Sequence, residues 1–172
     1  MSNNKGKDGE HGTLALLALA ALKDDRLEVM RYSETNVPDM GQDIFLTASN
    51  HWVQELGKLA DASYQPHRRF SALPDDSARS VRIDVKTSKV IDKTLAQKAA
   101  GDVKKHPNTD THILFGGRLT TAGQEALDQV KRDYPSKEIF HVSDSGIRAL
   151  ASKLGMPIEK VFPHLKDEKK DK

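Results

Sequence analysis

The chain has 172 residues, near-balanced charge at +2 and no cysteine. One domain with a real core fits that length. Disulfides, thiol nucleophiles and cysteine-ligated zinc are excluded, and with aromatic residues at only 5% a base-stacking platform for single strands is not expected. Residues 1–8 are polar and rich in Gly, Lys and Asn, and 166–172 are all charged. Both read as disordered ends of a single domain over 9–165.

A first helix is predicted from about Gly9 to Lys23. Its apolar stretch, Leu14 to Leu22, is shorter than the ~20 residues a bilayer span needs. Acidic residues precede it and Lys23-Asp24-Asp25 follow, which is no signal-peptide pattern, so a buried helix and a soluble, cytoplasmic protein are expected. A strand follows at about Leu27 to Ser33. Asn36 to Gly41 carries turn chemistry, and a second strand runs from Asp43 to Ala48. Residues 49–80 read as an insert. Its first part, His51 to Ala60, has helical spacing with Ser49 or Asn50 as a cap. Beyond Ser63 the periodicity stops, and Pro66 and Pro74 interrupt it.

Val81, Ile83 and Val85 alternate with Arg82, Asp84 and Lys86. Such alternation predicts a strand, Val81 to Ser88, with one apolar face and one solvated face. After it come a helix at Asp92 to Lys105, a strand at Thr111 to Phe115, a helix at Thr120 to Tyr134, a strand at Glu138 to Val142, and a helix from Ser143 to Leu154 closed by Gly155. The order is α-β-β-β-α-β-α-β-α. Its βαβαβ half predicts parallel pairing, its first three strands a meander, and the whole a mixed central sheet with helices on both sides.

On a strand, Asp84 and Lys86 point to one face. Carboxylates from neighbouring strands can bind a hard cation such as Mg²⁺. A lysine beside it suits phosphodiester hydrolysis, in which a metal polarises the phosphate and lowers the pKa of the attacking water. Glu10, opening the first helix, and Asp43, starting the second strand, are the other carboxylates so placed. Asp75, after Pro74, is a rival to Asp43 as Asp84's partner.

Gly41-Gln42-Asp43-Ile44 followed by Ile83-Asp84-Val85-Lys86 resembles the PD-(D/E)xK nuclease superfamily, most closely the Mrr-like restriction endonuclease group. The likeness extends in element order over most of Gly9 to Leu154. It takes in Gln97 in the next helix, the strand and loop Ile113 to Ala126, and the last strand and helix. It implies a restriction-endonuclease-like fold and a Mg²⁺- (or Mn²⁺-) dependent endonuclease acting on DNA, in a restriction, defence or mobile-element setting. Asp43 and Asp84 would be metal ligands, Glu10 an auxiliary ligand, Lys86 the catalytic lysine and Gln97 a supporting group near the phosphate. Here Asp, rather than the more frequent Glu, precedes x-Lys.

Lys58, His67, Arg68, Arg69 and Lys89, with Arg79 nearby, are candidate phosphate contacts. The seven histidines show no ligand-pair spacing, so zinc is not expected. Leu150 to Val161 has helix-turn-helix spacing about Gly155, though Pro163 shortens its second helix and no arginine lies there to read guanine. Two alternatives to cleavage follow: a catalytically degenerate nuclease fold that binds DNA or a protein partner, and a small helix-turn-helix regulator. A chain of this size with no separate recognition domain is expected to act as a homodimer or as a subunit of a larger complex.

Overall fold

The computed structural model describes residues 28–32, 41–61, 63–161 and 165, of which 28–32, 41–43, 59, 60 and 161 are described by their backbone alone. The predicted first helix with Glu10, the 36–40 turn, the polar N-terminal end and the charged C-terminal end lie outside the described residues.

Five strands form the central sheet. They are β1 (Glu28–Tyr32), β2 (Gly41–Ser49), β3 (Ala78–Lys86), β5 (Thr111–Phe115) and β7 (Glu138–Val142), lying side by side in that order. β1, β2 and β3 pair antiparallel as the expected meander, with an irregularity in β1 between Val29 and Arg31. β3, β5 and β7 pair parallel, as the βαβαβ reading requires. Two short strands absent from the sequence reading, β4 (Val90–Ile91) and β6 (Arg118–Leu119), pair into a separate ribbon beside the C-terminal ends of β3 and β5. Strands of two residues carry no periodic signal.

The odd-numbered positions of β3 and β5 set one face of the sheet. Val81, Ile83, Val85, Ile113 and Phe115 join Ile44, Leu46, Ala48, Phe140 and Val142 in the larger core, beneath α1 (Asn50–Ala60) and α5 (Asp144–Lys153). The smaller core lies on the other face, where Leu114 and Ile139 meet Ala96, Ala99 and Val103 of α3 (Lys93–Lys105) and Ala126, Leu127 and Val130 of α4 (Thr121–Asp133). Both crossover helices thus lie on one face, as two same-handed crossovers stepping along a sheet must. The result is a three-layer α/β/α arrangement.

The stretch 49–80, expected as an insert, supplies part of this core. Ser49 caps α1, its side chain accepting the Trp52 N–H, and α1 buries Val53 and Leu56 against the sheet. The residues beyond Ser63, expected as an irregular loop, include a one-turn helix, α2 (Arg68–Ser71), whose Phe70 is buried. At the other end α6 (Ile158–Val161) is one turn long, and Gly155 takes φ +71 after α5, the expected cap. No helix among the described residues is long and apolar enough to cross a membrane.

Candidate functional site

The even positions of β3 face the α3–α4 side, and that face is not the solvated one the alternation predicts. Arg82, Asp84 and Lys86 are 1%, 2% and 6% exposed. Buried charges persist only when paired, and these form a row centred on Asp84. Lys86 Nζ lies 3.1 Å from Asp84 Oδ2, and Arg82 Nη1 lies 3.8 Å from the same oxygen. Arg82 Nη1 also stands 3.9 Å from Asp102 of α3, while its Nε–H donates to His112 Nδ1 at 3.0 Å. Phe45, the cross-strand partner of Arg82, stacks its edge on His106 at the C-terminal end of α3.

The register decides the partner of Asp84. Along the backbone, Asp43 is directly opposite Asp84, and Gly41 opposite Lys86. Asp75 belongs to the turn before β3 and its carbonyl accepts the His51 N–H. That places it beyond the far end of the strand, about 20 Å along it from Asp84 at ~3.3 Å per residue. The backbone of Asp43 is therefore set opposite that of Asp84, and the backbone of Asp75 is not.

The other predicted residues are dispersed. Gln97 is exposed on α3 and makes no hydrogen bond to Asp84 or Lys86. Lys58 is on α1, across the sheet from Asp84, and pairs with Glu55 at 3.4 Å. His67 Nε2 donates to the Pro135 carbonyl and Arg69 Nη1 to that of Ser136, and Arg69 also pairs with Asp110 at 3.3 Å. These anchors precede β5 and β7, so the 67–69 cluster lies at the opposite end of the sheet, about 16 Å or more along β3 from Lys86. Arg79, expected near phosphates, is fully buried and bonded to Glu138. Lys89 is exposed, three residues beyond Lys86. In the helix-turn-helix reading the second helix is α6, whose four residues rise only about 6 Å.

Two groups that the sequence reading passes over support the site. Arg82 shares the face of Asp84 by the same period of two, a signal present in the sequence. His112 is its partner across the parallel register. With Arg82 donating to Nδ1, the imidazole is neutral and carries its proton on Nε2, an atom with no hydrogen-bond partner. Burial, then the charge of Arg82, push its pKa down to about 3. The unfolded chain therefore takes up a proton below about pH 6.5 that the fold refuses. Stability contributed by neutral His112 is complete above pH 6.5 and is lost as pH falls toward 3. Urea unfolding at stepped pH should show wild type losing about 1.4 kcal/mol per unit more than His112→Gln in that window. Equal slopes would sink this assignment.

Gly116 braces the strand end that carries Lys86. It takes φ +119, a region open to glycine, and a Cβ there would run into the Lys86 carbonyl oxygen. Its N–H donates to Val142 at 2.9 Å, and its carbonyl accepts from His141 Nε2 at 2.9 Å. Gly116→Ala is expected to cost about 2–3 kcal/mol through strain and collision and to move the amide resonances of Lys86 and Thr87. A change confined to residues after 116 would contradict the brace.

Carboxylate oxygens suit a hard divalent cation. Asp84, with Asp43 opposite, has the donor chemistry for Mg²⁺ or Mn²⁺. Among the described side chains, no group of three or more His, Asp or Glu residues converges as a metal site; of the predicted ligands, only the side chain of Asp84 is among them. The sheet and its covering helices define the chain as a mixed α/β protein. Compared with known proteins, it matches no protein-family model and no curated sequence.

Proposed function

We propose that the chain is a divalent-cation-dependent endodeoxyribonuclease domain of the PD-(D/E)xK type. One observation carries the reading: Asp84 and Lys86 stand together on one face of β3, 3.1 Å apart, with Asp43 directly across the register. The meander leading into parallel β3-α3-β5 supports a restriction-endonuclease-like topology.

Asp84 and Asp43 would hold Mg²⁺ or Mn²⁺, with Glu10 as an auxiliary ligand. When bound, the cation polarises the phosphate and lowers the pKa of its water. Lys86 sets an ammonium beside the carboxylate, where it offsets charge developing on a phosphate oxygen. Arg82, anchored by Asp102 and His112, sets a second positive charge 3.8 Å from Asp84. The walls of the row are apolar or paired, so these charges act at low dielectric.

The test is cleavage of supercoiled and linear duplex DNA by purified protein with Mg²⁺ or Mn²⁺, against a chelated control. Nicked or cut product that disappears on chelation is the expected result. Asp84 already receives two cations, Lys86 and Arg82, which favours a second reading: a module that binds DNA without cutting it. Retained duplex binding with no cleavage in either metal selects that reading and overturns the first.

A further inference from the structure

We propose that the β4–β6 ribbon is the surface on which duplex DNA lies, its phosphates contacted by Lys89, Lys93 and Arg118. This rests on the nuclease reading for its purpose, since the ribbon begins where the Asp84–Lys86 strand ends.

The ribbon is a rigid platform. Ile91 is fully buried beneath it, and Gly123 opens α4 so close to the Ile91 carbonyl that a Cβ would collide with it. Register pairs Val90 with Arg118, and the Arg118 N–H donates to the Lys89 carbonyl at 3.0 Å, which makes these two cations neighbours. Lys93 opens α3 two residues after Ile91. All three are exposed, and none forms an ion pair with any described residue. Of the other exposed cations, Lys58, Lys131 and Arg69 each lie within 4.0 Å of a carboxylate, while Arg68, Lys104 and Lys105 form no ion pair with a described residue. Two nearby carboxylates are turned to backbone amides: Asp92, beside Lys93 in the chain, accepts from Leu95, and Asp144 accepts from Gly117, beside Arg118. Unpaired cations grouped on a firm ledge complement a phosphodiester backbone. No Phe, Tyr or Trp side chain is exposed among the described residues; Leu73 and Val90 are the only large hydrophobics among them that are. The ledge is therefore built for phosphates and not for stacked bases.

Fluorescence anisotropy of a labelled mixed-sequence duplex, with chelator present so that nothing is cut, tests this. Lys89→Glu/Arg118→Glu should weaken binding at least about tenfold and flatten the salt dependence by about one unit per lost phosphate contact. Lys89→Gln/Arg118→Gln should lose less in the same direction. Arg68→Glu/Arg69→Glu, at the far end of the sheet, should bind as wild type. The proposal is overturned if the ribbon variants bind as wild type or if the 68/69 variant loses as much. Binding without metal is independent of cleavage. Protein that binds through the ribbon but never cuts defeats the nuclease reading alone. Ribbon variants that bind and cut normally defeat the ribbon alone.

Discussion

Lys86→Met should reduce metal-dependent DNA cleavage by about 10²–10³-fold, the usual cost of removing one preorganised charge from a reacting centre. Asp84→Asn should do at least as much, because it removes a proposed metal ligand. The two differ in their effect on the fold. Asp84 is the anion that Lys86 and Arg82 share, at 3.1 and 3.8 Å, on a buried face. Its neutralisation sets two cations against each other with less to hold them, and melting temperature should fall. Lys86→Met removes one of the two cations and leaves Arg82 on Asp84, so its melting temperature should stay near wild type. Loss of cleavage in a Lys86→Met protein that melts normally is thus the informative result. Wild-type cleavage rates in that variant would remove Lys86 from the chemistry and with it the proposed mechanism. Added Mg²⁺ should raise the melting temperature of wild type through linkage and leave that of Asp84→Asn unmoved.

The largest stability effect is expected at the other buried pair. Arg79 Nη2 lies 3.1 Å from Glu138 Oε1 and also donates to Thr111 Oγ1. Arg79 Nη1 donates to Asn50 Oδ1 at 3.3 Å, and the guanidinium lies 3.7 Å above the Phe70 ring. Glu138 accepts the Tyr64 hydroxyl at 2.8 Å and the His67 N–H at 2.7 Å. Burial, then the Glu138 charge, push the Tyr64 phenol up. Five pieces of chain meet at this ion pair: the start of α1, the 64–70 segment, β3, β5 and β7. Breaking a buried pair by removing one partner leaves an uncompensated charge and costs about 3–5 kcal/mol. Glu138→Gln and Arg79→Met should each lose that much in urea unfolding, a drop in melting temperature of about 10 °C for a chain of this size. Arg79→Met/Glu138→Leu should recover much of it, because the orphan charge is gone. Single variants that lose less than about 1 kcal/mol, or a double variant that loses the sum of both, would show that the pair does not lock these segments.

These two buried rows separate what a local pattern encodes from what it cannot. The period-two pattern of Val81 to Lys86 identifies the strand and puts Asp84 and Lys86 on one side, because backbone geometry alone enforces alternation. The same pattern cannot say that the charged side is covered. Its covering, by α3 and its Asp102, comes from residues twenty positions later. Arg79 reads as a surface cation because its counter-ion, Glu138, is 59 residues away. His67-Arg68-Arg69 reads as a basic patch beside a site, yet its anchors at Asp110, Pro135 and Ser136 hold it at the opposite end of the sheet.

By itself the sequence determined the longer described elements and their order, since capping residues, turn residues and apolar periodicity act within a few neighbours along the chain; the first predicted helix lies outside the described residues, and α2, β4 and β6 were too short to carry such a signal. It also determined which positions of β3 share a face, and so that Asp84 and Lys86 stand together. The tertiary structure alone decided the rest. Antiparallel register chose Asp43 over Asp75 as the residue opposite Asp84. Burial changed a wet strand face into a paired charge row with Arg82 and His112. The close approach of Gly116 to Lys86, and the ribbon formed by β4 and β6, depend on strands brought together across 30 residues. Each is a contact between distant segments, and no local pattern encodes a distance in space.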